Sequence, residues 1–131
     1  MARGSDPTGP DMPHLTLEYS KNLDTFSASA ALLDINRALL ASGQFEEADI
    51  KSRAIALDCC QIGVQDLPRA FIHAKLAILS GRSPEEKQRL SELSLQALAD
   101  SAALPPDVEV QLCVEIQEID RASYGKRFIA R

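Results

Sequence analysis

The chain has 131 residues, 45% of them hydrophobic and 25% charged, with a formal net charge of -5. That length is enough for one domain with a real core, and the acidic balance gives a nucleic-acid partner no electrostatic support. No apolar run approaches the roughly 20 residues of a membrane span, and no charged-then-apolar leader with a cleavage site is present, so a cytoplasmic protein without a membrane partner is expected.

Residues 1–11, MARGSDPTGPD, carry Gly, Pro, Asp and Ser with no apolar pattern. They read as an expression tag or linker, which leaves 12–131 as a single domain. "HLTLEYS" alternates, with Leu15, Leu17 and Tyr19 on one face and Thr16, Glu18 and Ser20 on the other, and predicts a strand. In "SASAALLDINRALLASGQF", Ala28, Ala31, Leu32, Ile35 and Leu39 recur at helical spacing, with Gly43 as a C-terminal cap. "DIKSRAIALDCCQI" returns to strand character. "AFIHAKLAIL" predicts a third strand. Ser83, Pro84 and Glu86 then read as N-cap, first helical residue and capping-box partner of a second helix. Leu90, Leu93, Ala97 and Leu98 form its apolar stripe, Pro105-Pro106 lies beyond its end, and "DVEVQLCVEIQEI" is the last strand.

The order strand-helix-strand occurs twice, at about 12–66 and 67–131, with an offset of about 58 residues that lays Asp49-Ile50 on Asp107-Val108. At that offset Pro13 falls on Phe71, and Asp24 is the rough counterpart of Arg82. Right-handed crossovers make each strand pair parallel. The expected fold is α+β, two β-α-β units forming a four-stranded sheet with two helices on one face. The other face is expected to stay apolar and to be covered by further copies of the chain. Cys59, Cys60 and Cys113 read as buried free thiols. With two histidines, His14 and His73, and no CxxC motif, no metal site and no cofactor are expected. His73, in mid-strand, is expected at a core or interface position.

On these features the chain resembles the tautomerase superfamily, whose β-α-β unit begins Met-Pro. "MPHLTLEYSKNL", "DIKSRAIALD" and "FIHAKLAILSGRSPEEKQRLSELSLQAL" resemble in particular the 5-carboxymethyl-2-hydroxymuconate delta-isomerases of aromatic degradation. The likeness covers nearly all of 12–131, and the second half alone resembles the short 4-oxalocrotonate tautomerase subunit. It implies a cofactor-free isomerase, a homo-oligomer and most often a trimer, with an amino-terminal proline as base.

Pro13 becomes such a base if Met12 is trimmed. An α-amino group has a pKa near ~7.7–8.0, which partial burial and nearby cations lower, so it can take a proton from one atom and return it to another. An anionic substrate in an acidic chain needs local cations. Arg82, between Gly81 and a helix N-terminus, suits a carboxylate or a developing enolate oxygen. The resemblance implies arginine where Lys51 stands, and lysine keeps the charge without the bidentate grip. Arg53 shares the strand face of Lys51. His14 belongs to the Met-Pro-His match, and Ile62 falls where related enzymes have an apolar wall. The expected reaction moves a proton along an unsaturated 2-hydroxy or 2-oxo dicarboxylate or tricarboxylate. A phenylpyruvate tautomerase, a decarboxylase and a non-catalytic oligomeric ligand-binding protein stay open as alternatives.

Overall fold

The computed structural model describes residues 12–131, and the expected tag or linker at 1–11 lies outside them. Two β-α-β units follow each other: β1 (His14–Ser20), α1 (Ala28–Ala41) and β2 (Lys51–Leu57), then β3 (Arg69–Leu79), α2 (Pro84–Ser101) and β4 (Glu109–Ile119).

Local chemistry sets the helix ends. The Ser27 hydroxyl accepts from the Ala30 N–H at 3.3 Å and caps α1. Gly43, at φ 79°, turns the chain out of that helix, a conformation that strains any residue with a Cβ. At α2 the capping box is complete: the Glu86 N–H donates to Ser83 Oγ, and the Ser83 N–H donates back to Glu86 Oε1, both at 3.1 Å. Pro84 occupies the first helical position. Losing such a cap costs about 1 kcal/mol.

The sheet order is β2-β1-β3-β4. β1 pairs parallel with β2, β3 pairs parallel with β4, and β1 meets β3 antiparallel at the centre. Leu15 and Leu17 of β1 and Ile72, Ala74 and Leu76 of β3 join Ile35, Leu39, Leu90 and Leu98 of the helices in one core. Truncating one of these leucines to alanine costs about 2–5 kcal/mol. Both helices therefore cover the same sheet face, as the alternation predicts.

The opposite face is polar, which corrects the expectation of an apolar one. It carries His14, Thr16 and Glu18 from β1, Lys51 and Arg53 from β2, His73 and Lys75 from β3, and Glu115 and Gln117 from β4. The alternation in β1 and β3 is one-sided, and period two sends each intervening polar residue to the other face. His73 is accordingly a half-exposed partner of Glu115 at 2.9 Å rather than a core residue. The cysteines are free but exposed, not buried, because β2 ends at Leu57 before Cys59, and Cys113 faces outward on the β4 edge. On α2 the fully buried line is Leu90, Ser94 and Leu98, with Leu93 and Ala97 beside it half-buried.

The repeat also aligns differently from the expected offset. The Lys51 N–H donates to the Pro13 carbonyl at 3.2 Å, and the Glu109 N–H donates to the Pro68 carbonyl at 3.0 Å. The counterpart of Pro13 is therefore Pro68, not Phe71. The matching N-caps Ser27 and Ser83 make Phe26, not Asp24, the counterpart of Arg82. The segments between the strands and helices differ in length in the two units, so no single offset fits both.

Candidate active site

Chain direction gathers the site. β1 and β2 both start at one end of the sheet, and β3, antiparallel to β1, finishes there. Pro13 enters β1 at that end, and Gly81-Arg82 leaves β3 at the same end. The segment after α1, from Gln44 to Ile50, arrives there as well. The Pro13 side chain is fully buried, and its carbonyl is fixed by the Lys51 N–H. Sequence separations of nearly 40 and nearly 70 residues thus close into one neighbourhood.

Each cation has a defined environment. The Arg82 guanidinium donates to Gln44 Oε1 and lies over the Phe45 ring, 5.0 Å from its centroid. Phe45 is buried, so this stacking fixes the guanidinium plane against the end of the core. The Lys51 ammonium donates to the Asp49 carbonyl at 2.7 Å. Burial first, and then the neighbouring Lys126 cation, lower the Lys51 pKa, with Asp49 opposing and Arg53 adding to the fall. Lys51 and Arg53 share a strand face, as expected, opposite His14 and Thr16 of β1.

His14 links β2 to the C-terminal segment. Arg53 Nη2 donates to His14 Nδ1 at 2.9 Å, and His14 Nε2 lies 3.0 Å from the Tyr124 hydroxyl. Arginine has no acceptor, so Nδ1 is the unprotonated nitrogen and the imidazole proton sits on Nε2, donating to Tyr124. Burial, then Lys51, Arg53 and Lys126, hold the His14 pKa below its ordinary value. Lys126 reaches Asp49 Oδ1 at 2.7 Å.

The structure thus brings Pro13, His14, Lys51, Arg53 and Arg82 to one end of the sheet, with His14, Lys51 and Arg53 on the face away from the helices and Arg82 against Phe45 of the core. Ile62 stands elsewhere. It follows β2 in the loop at the opposite end of the sheet, where Arg69 Nη1 donates to its carbonyl at 3.3 Å. There it lines a cleft of about 670 Å³ with Ser20, Asn22, Asp58, Cys60 and Arg69. That cleft lies at the Pro68 end, so its size says nothing of chemistry at Pro13. Sequence reasoning missed Gln44, Phe45 and Asp49, which have no motif and matter only through what they touch. The C-terminal "YGKRFIAR" is basic and aromatic, and no motif in it marks where Tyr124 and Lys126 dock.

Comparison with known proteins shows the family. The profile of the 5-carboxymethyl-2-hydroxymuconate isomerase family matches residues 13–129. The chain is 31% identical over 110 residues to the 5-carboxymethyl-2-hydroxymuconate Delta-isomerase of Escherichia coli, covering 82% of this chain and 87% of that one. The crystal structure of a 5-carboxymethyl-2-hydroxymuconate isomerase from Deinococcus radiodurans R1 superimposes with a TM-score of 0.80 at 31% identity, over 90% of each chain. At 20% identity, a fused 4-OT symmetric trimer shares the fold with a TM-score of 0.57, over 86% of this chain and 90% of that one. With its tautomerase fold and this match along almost its whole length, the chain belongs to the 5-carboxymethyl-2-hydroxymuconate isomerase family and is an isomerase.

Proposed function

We propose that the chain is a cofactor-independent isomerase that uses Pro13 as its base, once Pro13 is the amino terminus, on an unsaturated 2-hydroxy or 2-oxo dicarboxylate or tricarboxylate. Its substrate resembles 5-carboxymethyl-2-hydroxymuconate, the compound in the names of its relatives. The proline amine removes one proton from the conjugated chain, the double bond shifts, and the same proton is returned at another carbon. Nothing is oxidised and no group leaves. Arg82 stabilises the dienolate oxygen, and Lys51 and Arg53 hold carboxylates. Stacking on Phe45 spares Arg82 part of the reorganisation that a free side chain would need. Ile62 would join this site only from a neighbouring copy.

The observation that carries this reading is the convergence of Pro13, Lys51, Arg53 and Arg82 on one end of the sheet in a chain of net charge -5. The active form is a cytosolic homo-oligomer, a trimer as in the fused 4-OT structure. β2 and β4 are sheet edges, and β4 is 11 residues long with Val110, Leu112, Val114 and Ile116 only half-buried. Burial of these residues against a neighbouring copy would protect them.

The test is an assay of the form beginning at Pro13 on 5-carboxymethyl-2-hydroxymuconate and on 2-hydroxymuconate. Inactivity on both, with Pro13→Ala leaving any tautomerase activity unchanged, sinks the proposal. A phenylpyruvate tautomerase or decarboxylase is the second reading. It is favoured by one observation, that Lys51 is drawn back onto the Asp49 carbonyl. A monocarboxylate substrate needs fewer free cations, and a panel of mono-, di- and tricarboxylates separates the two. Membership in an isomerase family removes the case for a non-catalytic binding protein.

A further inference from the structure

The chain beyond β4 does not hang free. Ile119 ends β4 at the far edge of the sheet, yet Lys126 pairs with Asp49 beside the start of β2, at the opposite edge. Three inter-strand spacings separate those edges, roughly 14 Å. Residues 120–126, fully extended, reach about 23 Å, enough to cross that distance with a turn at the start, in which the Ser123 N–H donates to the Asp120 carbonyl at 3.2 Å, and the segment crosses the end of the sheet where Pro13 lies.

Its anchors fall on successive strands. Arg121 donates from its backbone N–H to Ser80 Oγ at 3.3 Å and from Nε to the Ser80 carbonyl at 3.0 Å, at the end of β3. Tyr124 meets His14 at the start of β1, and their rings are edge-to-face with centroids 6.1 Å apart. Lys126 meets Asp49 just before β2.

We propose that residues 120–126 are a strap drawn across the Pro13 end of the sheet, and that neutral His14 is the positioning residue that holds it closed. The middle anchor needs a particular state of His14. Nδ1 must accept from Arg53 while Nε2–H donates to Tyr124. A proton added to Nδ1 would point at the Arg53 guanidinium, and the hydrogen bond would become a repulsion. The charged groups facing His14 all act in the same direction. They are Lys51 and Arg53 from β2 and Lys126 from the strap, while the paired residue on β3 is the uncharged Ala77. Asp49 is engaged by Lys126 and, through its carbonyl, by Lys51. Acidification breaks the Arg53–His14 hydrogen bond and displaces the ring; Nε2–H remains a donor, so Tyr124 is released by that displacement, and the middle of the strap lifts between its anchors at Ser80 and Asp49. Its bearing on catalysis rests on the reading of Pro13 as the base. Closed, the strap completes the substrate's surroundings and excludes water from the proline nitrogen.

The experiment is NMR on the 131-residue chain, whose two histidines are His14 and His73. A His14–Tyr124 ring contact is expected at pH 8 and is expected to vanish as His14 takes up a proton. Tyr124→Phe should raise the mobility of residues 121–126 at pH 8. In the form beginning at Pro13, Tyr124→Phe should raise KM about fivefold, the equivalent of one lost hydrogen bond, with kcat nearly unchanged. It should also flatten the acid limb of kcat/KM that follows His14. A ring contact absent at pH 8, or persisting through the His14 titration, overturns the strap. A Tyr124→Phe enzyme with wild-type KM and pH profile but a lower melting temperature makes Tyr124 merely structural and overturns the positioning role. If the wild-type form proves inactive, the function proposed for Pro13 fails, while the NMR measurements still decide whether the strap exists.

Discussion

At one end of the sheet the Pro13 carbonyl receives the Lys51 N–H; at the other, the Pro68 carbonyl receives the Glu109 N–H. The two ends come from the same repeated unit and share that backbone detail, but their side chains differ in kind. The Pro13 end holds His14, Lys51, Arg53 and Arg82, with Lys126 brought in by the tail. At the Pro68 end Glu109 stands where Lys51 does, and Arg69, in the place of His14, faces it at 3.8 Å. Lys21 there is matched by Asp58 at 3.4 Å. At the Pro68 end Arg69 and Lys21 each pair with a carboxylate, whereas at the Pro13 end Lys126 takes Asp49 and the side chains of Lys51 and Arg53 reach a backbone carbonyl and an imidazole, an excess of cations that an anionic ligand would relieve. Pro68 is also an internal residue, whose tertiary amide can never be a base. Duplication of a backbone thus does not duplicate the side-chain charges at its end.

The sharpest way to break the comparison is at the prolines. Pro13→Ala in the form that begins at residue 13 should lower kcat/KM by about 10²–10⁴-fold, the range for losing a general base. Pro68→Ala should leave it within about twofold, since surface changes are usually near neutral. The 131-residue form, whose Pro13 nitrogen is an amide, should be inactive in proton transfer until the leader is removed. Equal activity before and after removal counts against Pro13.

The next contrast is Arg82 against its counterpart Phe26. Arg82→Ala should cost about 10²-fold or more in kcat, as for a lost oxyanion partner, with little change in the urea midpoint. Phe26→Ala should do the reverse. Phe26 is buried against Tyr19, with ring centroids 5.1 Å apart, and its loss should cost about 3 kcal/mol in urea unfolding.

Lys51 tests whether the excess of cations is held at a cost. Its folded-state pKa is lowered, so the folded state holds that proton less tightly than the unfolded chain does. The stability it gives is complete above the ordinary lysine range and is lost as pH falls below it, so at pH 7 the charged lysine weighs against folding. Lys51→Met should therefore be neutral to stabilising, by no more than about 0.5 kcal/mol, while kcat/KM for a tricarboxylate falls about tenfold. A melting curve and a steady-state assay on the same preparation check both signs.

The smallest effect is the pH dependence of stability from His14. Its folded pKa is also lowered, so its contribution is complete above about pH 6.5 and declines as pH falls toward the folded value. His14→Gln should flatten that decline in urea midpoints measured between pH 8 and 5.

Much of the fold was legible because it rests on local rules. The alternation in His14–Ser20, the Ser83-Pro84-Glu86 cap and the paired strand-helix-strand units all reappear where they were read. What was misjudged depended on context. A run such as "AFIHAKLAIL" looks apolar overall, but the pleat separates Ile72, Ala74 and Leu76 from His73 and Lys75, so the second face is polar. The offset of about 58 hid the correspondence of Pro13 with Pro68, because hydrogen-bond register, not residue count, defines equivalence between strands.

For the site, the sequence by itself supplied the candidates: a proline next to a methionine, a Gly-Arg-Ser turn, and cations at Lys51 and Arg53. Only the tertiary structure decided that these share an end of the sheet, that Ile62 does not, and that Tyr124 and Lys126 do. Periodicity and capping act over a few residues and can be read along the chain. The meeting of Pro13, Arg82 and Lys126 depends on strand order and direction, set by how two apolar faces pack into one core.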